Sequence, residues 1–482
     1  MQEKYIALQK QIEKWINDHK DEFVTELQGF ARIPSVSRAD LAAPGAPFGP
    51  DCRKVLDYAL TRAEHYDFAG RDLDGCAAEI TWGDSDNAIG VVAHLDVVPV
   101  GDGWKYPVFG ATYLPEHDMM VGRGVSDNKS AAVMTLFAMR MLREFKWPMK
   151  HGVKLLCGMS EETGMQDMQL LRDKGYPFPK MSLVPDSAFP VNFAQKGSVD
   201  ADLSCPCEGN LTQFDAGSVR NVIPDYAVCT VHMDIADVKA ALDKLPAEDA
   251  CMLTVTALEG GTQIAAHGRS GHAARPENSD NAIQRLCKAL TDAQILTGSC
   301  EKAIRELNHL TADSFGESEG VAFEDEVSGK TTLVYGVAHL RDGRLHVCAD
   351  SRYAISQQGE ALTAALKADW EGRGFAVEKM EYTNPFYIPK DDARVTALQE
   401  IYHEITGRED QPYTMGGGTY SRVVPGAVTF GPSIMGVERD LSFLPEGHGG
   451  AHGRDEVVSM ESLRTACMIY TLALASLDEI ME

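Results

Sequence analysis

An apolar run, Asn87-Ala-Ile-Gly-Val-Val-Ala-His94-Leu-Asp96, ends in an imidazole and a carboxylate two residues apart. Strand side chains alternate faces, so His94 and Asp96 share a face if the strand runs through them. Such a pair is either a metal ligand with the acid that orients it or a buried histidine satisfied by a neighbouring acid. Comparable chemistry recurs downstream. Asp127, in Gly122-Arg-Gly-Val-Ser-Asp127-Asn-Lys-Ser130, precedes the helix-forming run 131–145 and is either a ligand or that helix's N-cap. Val153–Cys157 reads as a strand leading into Ser160-Glu161-Glu162-Thr-Gly164. Its paired acids are either surface charge or a general base beside a metal ligand. Met181-Ser-Leu-Val-Pro-Asp186 is a short strand ending in an acid, and the Gly-rich segment 446–456 offers His448 and His452 before the final helix.

These residues need a scaffold that brings strand ends together. Apolar runs that each end at or near an acid or histidine, alternating with helix, predict an open α/β sheet with its site at the carboxyl edge. Asp, Glu and His together suit a hard-to-borderline divalent ion. Two ions sharing one carboxylate need about five protein ligands, and the set supplies them.

The strings HLDVVPVGDGW (94–104), GRGVSDNKS (122–130), SEETG (160–164), VPD (184–186) and AHGRDE (451–456) resemble the di-metal peptidase superfamily. That group holds peptidase V-type dipeptidases, carnosinases, carboxypeptidase G-type enzymes and N-acyl amino acid deacylases. Chain length and a large middle section make the chain most similar to peptidase V-like dipeptidases. The resemblance implies that His94 and Asp186 hold one metal, Glu162 and His452 the other, and that Asp127 bridges them. It makes Asp96 the orienting partner of His94 and Glu161 the general base. The family string His-x-x-Asp/Asn-Glu fits His452-Gly-Arg-Asp455-Glu456 and does not fit His448. Relatives usually carry Asp-Asp-Lys-Gly where this chain has Asp127-Asn128-Lys129-Ser130, a departure that touches the local turn and leaves the bridging position intact.

Residues 1–75 read mainly as helix, with a Pro/Gly/Ala-rich loop near 42–50. The expected α/β catalytic domain spans 1–192 and 389–482, with a central mostly parallel sheet flanked by helices. Residues 193–388 form an expected inserted α+β lid. Within it, strand-then-helix recurs at 226–244 and 344–373, a weak internal repeat. In peptidase V-like relatives such a lid stands in for a dimer partner, which implies a monomer. The resemblance also places His272, in Gly271-His272-Ala-Ala-Arg-Pro276, over the metals as oxyanion donor; read alone it is a loop histidine. Asn221 and Arg352 match substrate-contacting lid positions, a structural salt bridge being the alternative for Arg352. Met415-Gly416-Gly417-Gly418-Thr419-Tyr-Ser-Arg422 resembles the family's substrate loop, whose bare amides can hold a carboxylate; a flexible turn is the alternative.

The 482 residues carry a net charge of −26 and are 44% hydrophobic. That acidity excludes non-specific binding to nucleic acid or anionic membranes. No apolar run spans a bilayer and no signal core opens the chain, so neither membrane nor export is expected. The 11 scattered cysteines fit free thiols in a reducing cytoplasm. The expected activity is hydrolysis of dipeptides with a free amino end, using two divalent ions, zinc first and manganese or cobalt as alternatives. N-acyl amino acid deacylation is the second reading, and a catalytically silent metal-binding scaffold is the reading from another class.

Overall fold

A computed structural model describes residues 3–437 and 439–481. The chain divides into two compact units, one comprising Met1–Phe193, Ile388–Tyr413 and Thr419–Glu482, the other Ala194–Tyr387 with Thr414–Gly418. Residues 414–418, expected with the catalytic part, group with the second unit.

In the first unit the sheet order is Ala69–Leu73, Ala77–Trp82, Gly152–Gly158, Ala88–His94, Ser182–Val184, Ala427–Phe430 and Val191–Gln195, the last strand carrying the chain out of the unit. The four strands from Gly152–Gly158 to Ala427–Phe430 are parallel neighbours, and the pairings outside them are antiparallel. The parallel character is thus confined to the centre. Ala88–His94 and Gly152–Gly158 are buried along their whole length, which is why their sequences are nearly continuous apolar runs. The strand Ala69–Leu73 lies in the stretch 1–75 that reads mainly as helix. Ala69–Leu73 is an edge strand, exposed at all but its last residue, so no burial pattern marks it in the sequence.

The helix Lys129–Glu144 packs on the strands Ala88–His94 and Gly152–Gly158 and on the last helix, Met460–Ile480. Every residue from Lys129 to Leu142 is buried. Met134, Met139 and Met141 fill this layer, each such apolar side chain contributing on the order of 2 kcal/mol. The N-cap is Asn128, without a side-chain cap bond, so Asp127 is not the helix cap. A small antiparallel sheet joins Val457–Ser459 to Met119–Val121 and Thr112–Leu114. It lays the loop before Val457 against the loop after Val121, with the Gly122 amide donating to the Glu456 carbonyl at 2.9 Å.

The second unit is an antiparallel sheet in the order Leu253–Leu258, Gly261–His267, Tyr226–Val231, Leu211–Ala216, Thr332–Arg341, Arg344–Tyr353, Gly197–Pro206 and Ala376–Thr383. The two strand-then-helix segments, Tyr226–Val231 with Ile235–Leu242 and Arg344–Tyr353 with Gly359–Arg373, fall on opposite sides of its midline. The helices Ala282–Ala293 and Ser299–Leu310 bury Leu286, Leu290, Ile304 and Leu307 in its core.

Candidate active site

The carboxyl ends of the parallel strands carry the chemistry. His94 ends its strand with its side chain fully buried. Its Nε2 lies 3.1 Å from Asp127 Oδ1 and 3.6 Å from Asp186 Oδ1. Asp186 follows the strand Ser182–Val184 by two residues. On the other side of Asp127, His452 Nε2 lies 3.1 Å from Asp127 Oδ2 and 3.1 Å from Glu162 Oε1. One carboxylate therefore faces two imidazoles, one through each oxygen. The possible ligand atoms of His94, Asp127 and Asp186 lie within 4.8 Å of one another, and so do those of Asp127, Glu162 and His452. All five residues singled out as ligands are brought together.

The electrostatics show what this arrangement lacks. Burial opposes charge on His94, yet Asp186, Asp127 and Asp96 around it hold its pKa well above the ordinary imidazole value. Hydrogen bonds to Asp127 and Glu162 lift His452 to about 10. Asp127 resists its burial and sits below the usual carboxylate range because two imidazoles face it. Asp186 and Glu162 are pushed up, chiefly by burial. Acids crowded out of water with only two imidazoles for balance form a site short of positive charge. Divalent cations would supply it, and oxygen and nitrogen donors in two groups sharing one carboxylate fit a pair of them.

Glu161 lies beside these groups, its carboxyl pushed well above its ordinary value by burial and by the charge of Asp186, which Glu162 and Asp96 reinforce. Its side chain makes no hydrogen bond to another described residue. Asp96 lies against His94 and has a further role. Its backbone carbonyl, at 3.0 Å, is nearer to His94 Nδ1 than its carboxylate, at 3.4 Å. The carboxylate also accepts the amides of Glu161 and Glu162, each at 3.1 Å.

Three further supports, Asn128, Glu456 and Asp455, stand within the motifs, but the sequence assigned them no individual role. The side-chain amide of Asn128 donates to the Pro185 carbonyl at 2.6 Å and to Asp186 Oδ1 at 3.0 Å, while its oxygen accepts the His94 amide at 3.3 Å. An aspartate there would set a second negative charge against Asp186. Glu456, fully buried, accepts Ser126 and Asp127 amides on Oε1 and the Gly124 amide and Arg123 Nη1 on Oε2, at 2.8–2.9 Å. Asp455 accepts the Lys105 and Tyr106 amides and holds His448 Nδ1 at 2.5 Å. His448 thus braces the loop and belongs to neither ligand group. His452 has a left-handed backbone, φ 61°, a conformation that costs a non-glycine residue energy and persists where neighbours enforce it. Arg123 Nη2 donates to its carbonyl at 3.2 Å.

In the second unit, Asn221, His272, Arg352 and Gly416 also meet. The Asn221 carbonyl accepts the Ala273 amide at 2.9 Å, and His272 Nδ1 accepts the Ala274 amide at 3.0 Å. Burial and the nearby Arg352 charge lower the His272 pKa, which favours the neutral ring. Arg352 forms a two-pronged pair with buried Asp350, at 2.8 and 2.7 Å, and its Nη1 donates to the Gly416 carbonyl at 3.3 Å. A β-carbon on Gly416 would overlap that of Ala274. Gly417 and Gly418 continue this loop. Arg422 lies in the first unit, on the short helix Tyr420–Arg422.

The sequence between residues 90 and 476 matches the model of Peptidase family M20/M25/M40, and the chain belongs to that family. It is an enzyme, a hydrolase of the metallopeptidase class. Among similar proteins, Bacillus subtilis (strain 168) "Putative dipeptidase YtjP" is 28% identical over 469 residues, covering 95% of this chain and 97% of the relative. A "Putative dipeptidase" of Staphylococcus epidermidis is 27% identical, covering 95% and 98%. The fold is shared with human carnosine dipeptidase 1, at a TM-score of 0.57 and 14% identity over 98% of this chain and 99% of that one. It is shared too with aminoacylhistidine dipeptidase from Vibrio alginolyticus, at 0.54 and 14% over 95% and 96%.

Proposed function

We propose that the chain is a metal-dependent dipeptidase that hydrolyses dipeptides with a free amino end. The observation that carries this reading is Asp127, set between His94 and His452 with Asp186 and Glu162 at either flank. His94 and Asp186 would hold one divalent ion, Glu162 and His452 the second, and Asp127 both. Zinc suits this donor set, with manganese and cobalt as alternatives. When bound, the ions acidify a shared water toward neutrality and polarise the scissile carbonyl.

The chain's own residues do the rest. Glu161, not hydrogen-bonded by any other described side chain, takes the proton from the attacking water at its carboxylate and returns it to the departing amine nitrogen. Asp96 and its neighbours fix the turn from which Glu161 projects. His272, neutral, carries a ring N–H for the developing oxyanion, and Arg352 with the Gly416–Gly418 loop and Asn221 would hold the substrate's polar ends. The names of the full-length relatives support the dipeptide as substrate.

The test is a panel of free and N-acetylated dipeptides, assayed with the apoprotein reloaded with zinc, manganese or cobalt. Hydrolysis of free dipeptides is expected, and Glu161→Gln should keep its metal while losing about 10²–10⁴-fold in rate. Preference for N-acylated substrates would replace the reading with deacylation, and no amide hydrolysis with metals bound would replace it with a silent scaffold.

A further inference from the structure

Four consecutive backbone amides lead up to and include the paired glutamates, and two buried carboxylates hold all four. Asp96 takes those of Glu161 and Glu162, one on each oxygen. Asp167 takes those of Met159 and Ser160 on Oδ2, at 2.6 and 2.8 Å. Asp167 is fully buried and sits in the first turn of the helix Gln166–Asp173, its Oδ1 accepting the Met168 amide at 2.7 Å. The crowded oxygen has a third donor, the hydroxyl of Tyr420, at 2.5 Å. Tyr420 is also fully buried, and its ring stands edge-on to His94. The fit is tight, since a β-carbon on Gly158 would overlap both the Tyr420 hydroxyl and the Asp167 carboxylate.

From this geometry we propose that Asp167 and Tyr420 are positioning residues for Glu161, fixing the turn 159–162 so that its carboxylate faces the reacting water. The proposal rests on the general-base reading of Glu161. The physical case is that a carboxylate in a buried place is costly unless fully engaged, and two of the donors that engage Asp167 are amides of this turn. Burial and the charge of Asp96 push its pKa to about 6, so its hydrogen bonds hold it there against a real penalty. Tyr420, from a segment more than 250 residues away in sequence, locks the clamp from the side facing His94. A general base must sit within hydrogen-bond reach of its proton, and a displacement of about 1 Å costs on the order of 100-fold. Glu162 is fastened separately by His452, so loosening residues 159–160 should disturb the base more than the ligand.

The experiment uses the full-length metal-loaded enzyme with Tyr420→Phe and Asp167→Asn, both near-isosteric. The readouts are kcat per metal-loaded site, KM, and metal stoichiometry by elemental analysis. Tyr420→Phe should lower kcat about tenfold, and Asp167→Asn on the order of 100-fold, with KM within twofold and both metals retained. Should Asp167→Asn not yield folded protein, Tyr420→Phe, which removes one donor and no volume, decides alone. Unchanged kcat per loaded site would overturn the proposal, because a clamp serving stability alone changes how much enzyme folds and not how fast each site turns over. A fall in total activity accounted for by loss of metal would overturn it too, since the clamp would then serve Glu162. Failure of the general-base reading shows separately, as wild-type kcat in Glu161→Gln.

Discussion

Replacing Glu456 by glutamine tests how the loop that presents Asp127 is held. Glu456 accepts four donors with both oxygens and is fully buried, and its partner Arg123 is 1% exposed. Glutamine keeps the volume and one acceptor oxygen but turns an NH2 toward two of the four donors. Each buried donor left unpaired costs about 1–3 kcal/mol, and removing one partner of a buried ion pair costs about 3–5 kcal/mol. These losses overlap, because Arg123 is counted in both. Part is also offset, since burial and the charge of Asp127 push the Glu456 carboxyl above its usual value, a penalty the amide does not carry. The expected net is about 3 kcal/mol, a large share of the roughly 5–15 kcal/mol that stabilises a domain. Because the Asp127 amide is among the four, metal affinity should fall by about 10–100-fold. Calorimetry of the metal-loaded and chelated forms, with metal titration against a competing chelator, measures both. A melting temperature within about 2 °C of wild type and unchanged affinity would refute the reasoning.

Asp127→Ala should release at least one metal, since both proposed sites use it, and full occupancy by elemental analysis would contradict the shared carboxylate. His272→Ala should lower turnover with metal content unchanged, which steady-state kinetics and elemental analysis read together; wild-type kcat would remove it from the mechanism. In the second unit, burial raises the Glu319 pKa from 4.5 to about 7 while its carboxyl accepts the Tyr335 hydroxyl at 2.7 Å. The folded state then holds a proton the unfolded state has lost between those values. That stabilisation is present below about pH 4.5, fades as pH rises, and is gone above about pH 7, with an upper bound of about 3 kcal/mol. Glu319→Gln should flatten this part of the melting-temperature profile, and curves that stay parallel to wild type across that window would show that Glu319 does not titrate there.

Much of the site was legible because chemistry shows in residue type. His94, Asp127, Glu162, Asp186 and His452 announce themselves as donors at strand ends or in a Gly-rich loop, and apolar runs such as 88–94 and 152–158 mark the middle of the sheet. The edge strand Ala69–Leu73 was not legible, since an exposed edge imposes no pattern on its residues. Arg352 had two readings, substrate contact or salt bridge; the structure shows the salt bridge, with Asp350, beside a hydrogen bond to the Gly416 carbonyl, and sequence offers no way to weigh the two.

What the sequence determined by itself is the inventory: which donors exist, which runs must be buried, and that the acids exceed the cations available to neutralise them. What only the tertiary structure decided is who serves whom. Asp96 spends its carboxylate on the Glu161 and Glu162 amides, Asn128 ties the His94 strand to Asp186, and Tyr420 reaches Asp167 across 253 residues of chain. The physical reason is that a hydrogen bond is a statement about two atoms within about 3 Å, and its net value of about 1 kcal/mol depends on burial and on the partner. Neither depends on any one-dimensional spacing, so the same aspartate can be a ligand, a cap or a clamp until the chain has closed around it.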